Sequence, residues 1–126
     1  PVISNKGIVG KIISVSRNYA VVLPFNHIDF KLGVMLKRNH LQGILSSDET
    51  GATFMKMLRL GSEINIGDTI VTSNISQIFP SGFSVGTVSK IREAADKVHI
   101  EAQVFPFENP ARTEQLIVLL YKKDKN

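Results

Sequence analysis

Cysteine and tryptophan are both absent from the 126 residues, and proline occurs only five times. Without cysteine there is no disulfide framework, no thiolate zinc site and no sulfur nucleophile, and the redox compartment is not written in the chain. Long hydrophobic runs are missing as well. The longest, Leu116 to Tyr121, has six residues, against the roughly 20 that a membrane helix needs. No signal-peptide pattern opens the chain, which starts at Pro1 and not at Met, so a longer parent protein with any anchor or targeting segment elsewhere is expected. What is present, 43% hydrophobic and 21% charged residues, is the balance of a folded soluble domain.

Acidic residues are scarce at one end only. Residues 1–40 hold six Lys/Arg against Asp29 alone, a local charge of +5. Residues 41–121 hold six Lys/Arg against nine acids, and the tail 122–126 adds three lysines and one aspartate. A basic first third is the footprint of a nucleic-acid binder when its cations share one face. The acidic remainder suits self-association or a polar protein partner equally well.

Short Ile/Val-rich runs broken by turn residues dominate, the pattern of a barrel or sandwich. Ile8 to Val15 and Tyr19 to Leu23, joined by Ser16-Arg17-Asn18, predict a hairpin. Further strands are predicted at Gly33–Lys37, Gly43–Ser46, Ala52–Leu58, Thr69–Ser73 and Ser84–Ile91. Val98, Ile100, Ala102 and Val104 alternate with polar residues, as in a half-buried antiparallel strand, which puts His99 on the solvent face. Leu116 to Leu120 is apolar throughout and reads as a strand covered on both sides. Asn109-Pro110 offers an N-cap followed by proline at the first helical position, so one helical turn is expected over Ala111–Gln115. No internal repeat stands out. The chain is read as all-β.

Reactive chemistry finds little support. A nucleophile triad needs a serine on a sharp turn, a histidine and a carboxylate; no Gly-x-Ser-x-Gly is present, and Ser14, Ser46, Ser73, Ser81 and Ser84 sit in ordinary strand or turn contexts. His27 and His40 fall in polar loops. No two histidines are close, no calcium-loop pattern occurs, and both glycine-rich phosphate loops are missing. Asp48-Glu49 and Glu93 with Asp96 read as solvated loop acids. No catalytic residue, metal ligand or cofactor site is therefore assigned. Tyr19, Phe25 and Phe30 lie near basic residues and would serve for base stacking in an oligonucleotide-binding type of barrel, the alternative reading, although core packing accounts for them better.

The informative stretch runs from Ile66 to Val88. Gly67-Asp68 turns the chain into a strand ending at Thr72-Ser73. Asn74 tolerates a left-handed backbone, Ile78-Phe79 forms an apolar plug, Pro80-Ser81-Gly82 a tight turn, and Gly86 permits close backbone approach in the next strand. These residues shape a corner of a small barrel and carry no reactive group.

Gly67-Asp68, Val71-Thr72-Ser73, Ile78-Phe79-Pro80, Gly82 and Val85-Gly86-Thr87-Val88 together resemble the bacterial MreC family, with Asn74 where the family commonly has glycine. Pro1-Val2-Ile3, Gly7 to Ile12, Asn18 to Leu23, Gly43-Ile44-Leu45 and Leu116 to Leu120 follow in the family order. The change of charge and the turn residues set a lobe boundary near Arg38 to Leu41, giving residues 1–40 to a first lobe, 41–121 to a second with its closing strand, and 122–126 to a basic tail. The resemblance implies two small six-stranded-type β-barrels packed together, with the first incomplete. It implies a non-catalytic scaffold that maintains cell shape. Its partners would be the elongation transpeptidase (a class B penicillin-binding protein), MreD, MreB and further copies of itself, with no nucleic acid. The location implied is the extracytoplasmic side of the membrane, anchored by a segment outside this chain. Phe25, Phe30, Phe79 and Phe83 flank turns and are the candidate partner contacts.

Overall fold

The computed structural model describes residues 1–73, 79–112 and 115–119. Ten strands are described: β1 (Val2–Ile3), β2 (Ile8–Val15), β3 (Ala20–Pro24), β4 (Lys31–Leu36), β5 (Gln42–Ser47), β6 (Thr53–Arg59), β7 (Thr69–Thr72), β8 (Ser84–Glu93), β9 (His99–Pro106) and β10 (Ile117–Val118). One 3-10 turn, Pro110–Arg112, is the helical element among the described residues. Asn109 caps it as its sequence predicts, the Oδ1 accepting from the Ala111 amide at 3.0 Å. The expectation at Asn74 and Ile78 lies outside the described residues, as does part of the helical turn, at 113–114.

β4 to β9 close a six-stranded antiparallel barrel in the order β4-β5-β6-β9-β8-β7, and β10-β1-β2-β3 form a four-stranded sheet. One barrel is thus complete and the other lobe is an open sheet, as the fold expectation has it. The lobe boundary differs. β4 precedes the expected break at 38–41, yet it closes the barrel by pairing with β7, Val34 opposite Thr72. β10 does not close the second lobe as expected and instead pairs with β1 of the first, Val2 opposite Val118. A change of charge along the chain does not mark a change of sheet; pairing between distant strands does.

One hydrophobic cluster spans both lobes. Ile8 and Phe25 from the open sheet are buried with Phe30, Leu32, Leu36, Leu45, Met55, Ile70, Phe79 and Val88 from the barrel side. The link between lobes, 25–30, is plugged at each end by a phenylalanine: Phe25 and Phe30 are both buried. Backbone bonds from Phe25 N to Val9 O (2.9 Å) and from Phe30 N to His27 O (3.0 Å) hold that link in place.

A repeated joint, not visible as a sequence repeat, appears in both lobes. Gly10 faces Pro24 across β2 and β3, and Gly86 faces Pro106 across β8 and β9. The following phenylalanine donates its amide to the residue before the glycine in each case, Phe25 to Val9 O at 2.9 Å and Phe107 to Val85 O at 3.0 Å. A Cβ on Gly10 would lie 2.1 Å from Leu23 O, and one on Gly86 would lie 2.3 Å from Phe105 O. Only glycine lets the backbones cross so closely.

Candidate interaction surface

The signature stretch assembles one corner of the barrel. Gly67 donates to Val88 O at 2.8 Å. The Asp68 carboxylate accepts from Arg38 Nε and Nη2, both at 3.1 Å, and from the Asn65 amide at 2.9 Å. The Arg38 hydrogen bonds hold the Asp68 carboxyl below its usual range, with the Asn65 amide adding to the effect against some desolvation. Thr72 Oγ1 donates to Pro80 O at 2.6 Å and accepts from the Phe83 amide at 3.0 Å, pinning the 80–83 turn to β7. Gly82 takes that turn at φ 96°. Ser73, buried, donates its amide to Gly33 O at 3.0 Å. Every one of these residues positions backbone.

Three of the four candidate contact rings are withdrawn from the surface. Phe25, Phe30 and Phe79 are fully buried and belong to the core; the turns they flank are sealed by the rings themselves. Phe83 is half-buried and packs edge-on against Phe79, with centroids 6.5 Å apart. The same burial removes two of the three rings on which base stacking would depend, leaving Tyr19. Two of the six basic residues in 1–40 are also engaged: Arg38 with Asp68 and Glu63, and Lys31 with Ile28 O and Ser46 Oγ.

Reactive groups do not converge. Among the described residues no serine hydroxyl is hydrogen-bonded to a histidine, and no group of three His, Cys, Asp or Glu is placed to hold a metal ion. His27 Nδ1 accepts from the Asp29 amide at 3.0 Å, and His99 Nδ1 lies 2.7 Å from Asp96 Oδ2. The hydrogen bonds to His99 and to the Val98 and His99 amides hold Asp96 down at about 2. On the outer barrel wall Arg92 stacks over Phe54 at 4.3 Å and pairs with Glu101 at 2.9 Å.

The apolar surface lies on the open lobe instead. Ile13, Val15, Tyr19 and Val21 are exposed along the β2–β3 hairpin, whose outer strand β3 is a sheet edge. At the other edge Leu116, Ile117 and Val118 are about half exposed, so the described part of the run expected to be covered on both faces is only half covered, and Leu120 lies outside the described residues. An edge strand has no further neighbour to cover it. Exposed apolar side chains beside unpaired strand edges are the makings of a protein-binding surface. A closed barrel joined to such a sheet makes this an all-β barrel module.

Comparison with known proteins gives the module its family. The family model described as rod shape-determining protein MreC, barrel core, matches residues 1–120. The cell shape-determining protein MreC of Escherichia coli (strain K12) is 29% identical over 127 residues, covering 100% of this chain and 34% of that protein. The crystal structure of MreC from Pseudomonas aeruginosa superposes with a TM-score of 0.82 at 25% identity, over 94% of this chain and 78% of that one. A chain from the complex between a penicillin-binding protein and MreC from Helicobacter pylori superposes at 0.75 with 22% identity, over 86% of this chain and 68% of that one. The chain belongs to the MreC family of bacterial cell shape-determining proteins. It spans about a third of the length of the curated relatives it matches.

Proposed function

We propose that the chain is the binding platform of a non-catalytic scaffold in the bacterial cell-wall elongation machinery. Its partner is the elongation transpeptidase, a class B penicillin-binding protein, and it also associates with further copies of itself. The parent protein connects, by family resemblance, to MreD and to MreB, and carries the platform on the extracytoplasmic side of the cytoplasmic membrane. No helix among the described residues is long and apolar enough to cross a membrane.

The observation that carries this reading is the relative of like fold solved together with a penicillin-binding protein. The surface agrees with it: rigid strands, open edges and exposed apolar residues favour gripping another protein. The test is capture of the cognate penicillin-binding ectodomain by this chain. A complex at about micromolar concentration is expected, and its absence there overturns the reading. Self-association is read separately, from sedimentation of the chain over a range of concentrations.

A further inference from the structure

A cleft of about 490 Å³ lies between the open sheet and the barrel. Its walls come from stretches far apart in the chain: Lys6 before β2, Asn26 after β3, Gly51 and Thr53 at the β5–β6 turn, and the end of β9 with the segment that follows it, 105–110 and Arg112. Two rings stand in it with accessible faces, Phe105 at 66% exposure and Phe107 at 39%. Phe105 lies near the end of β9 and Phe107 in the bend that follows it, and both line the cleft. A second depression of about 330 Å³, with Asn26 and Pro110 in common, continues it past Val9, Val22 and Leu116. The two together make an open groove, of a shape suited to an extended chain.

The groove has a charge as well as an apolar wall. Lys6 and Arg112 line the cleft, and neither forms an ion pair among the described residues. The lining carboxylate, Glu108, is already engaged by Ser4 Oγ and by the Asn109 amide at 2.9 Å. A negative group entering here meets two exposed cations against one carboxylate, which leaves the cleft with a net positive charge that favours it.

We propose that this interlobe cleft binds an extended acidic peptide segment of a protein partner, with apolar side chains on Phe105 and Phe107 and carboxylates at Lys6 and Arg112. The inference rests on the scaffold reading only in that the partner is a protein. A single-stranded nucleic acid would also bring anions and stacking faces. It requires cations along its whole backbone, however, whereas the continuation past Val9, Val22 and Leu116 offers aliphatic contacts.

The test titrates the isotopically labelled 126-residue chain with a capped hexapeptide of alternating Leu and Glu, its Leu/Lys counterpart, and an oligothymidylate of equal length. The Leu/Glu peptide is expected to shift the amides of Phe107, Asn109 and Arg112. Lys6→Glu combined with Arg112→Glu is expected to weaken that peptide by about tenfold or more and to strengthen the Leu/Lys peptide. Lys6→Gln with Arg112→Gln gives a smaller loss and guards against a folding defect. Equal binding of the two peptides, shifts confined to residues outside the cleft, or tighter binding of the oligothymidylate overturns the proposal. If the double Glu variant still captures the penicillin-binding ectodomain undiminished, the cleft assignment falls and the scaffold reading stands. If the peptide binds and the ectodomain does not, the reverse holds.

Discussion

The hairpins β2–β3 and β8–β9 share one joint and live in different surroundings. Both cross glycine against proline, and both anchor the next phenylalanine amide on the valine before the glycine. β9 is held between β6 and β8 inside a closed barrel, whereas β3 has a neighbour on one side only. The anchored rings diverge accordingly. Phe25 runs into the shared core, while Phe107 emerges at the mouth of the interlobe cleft. A local motif fixes where the backbone goes; its neighbours decide whether the side chain is used for stability or for contact.

Substitution at the paired positions breaks the comparison most sharply. Phe25→Ala is expected to cost about 3–5 kcal/mol by leaving a void in the common core, whereas Phe107→Ala stays within about 1 kcal/mol because its ring is already wet. Denaturant unfolding of both variants measures the difference, and equal losses would remove the distinction drawn here. Gly86→Ala comes next, at about 2–3 kcal/mol, since the new methyl meets Phe105 O on a strand held from both sides. Gly10→Ala is expected to cost about 1 kcal/mol less, despite its tighter approach, because β3 can swing outward from the edge. Hydrogen exchange along β3 should then rise in that variant.

Two smaller effects sharpen the contrast. Val15→Lys should change stability by less than about 0.5 kcal/mol, since Val15 is exposed at the hairpin tip, and should lower self-association in sedimentation. Of the two hairpins, acid should loosen the turn of β8–β9. The Asp96 carboxyl is held at about 2 from a usual 3.8, so the stability it lends is complete above the higher value and fades as pH falls toward the lower. Exchange of the Val98 and His99 amides should therefore quicken over that window. The Ser16–Tyr19 turn of the other hairpin is held by bonds from the Ser16 amide and hydroxyl to the Tyr19 carbonyl, and should not respond.

Much of the strand plan is legible in the sequence because it is local. Ile8–Val15 is read to the residue, and β4 to β9 are found within a residue or two, since β-branched runs and turn residues act over short distances. The close backbone approach at Gly86 is also readable, from a glycine inside a strand. Closure is not. The β4–β7 pairing and the β10–β1 pairing join stretches tens of residues apart, and nothing in Leu116 to Leu119 says that its neighbours stop at β1. The bulge of β6 is equally silent: Met57 sits at φ 66° with no glycine or asparagine to announce it. The contact residues elude the sequence for a related reason. A phenylalanine beside a turn can face either way, and Phe25 and Phe105, each next to a proline, face opposite ways.

The pairing of β1 with β10, reinforced by the Leu119 amide on Pro1 O at 2.9 Å, brings Pro1 and Leu119, at the two ends of the described residues, side by side. A mechanical pull exerted through both ends at once would reach this short ladder before any strand of the barrel. Its few bonds would break in succession, as a zipper opens, while the closed six strands stayed outside the first line of tension.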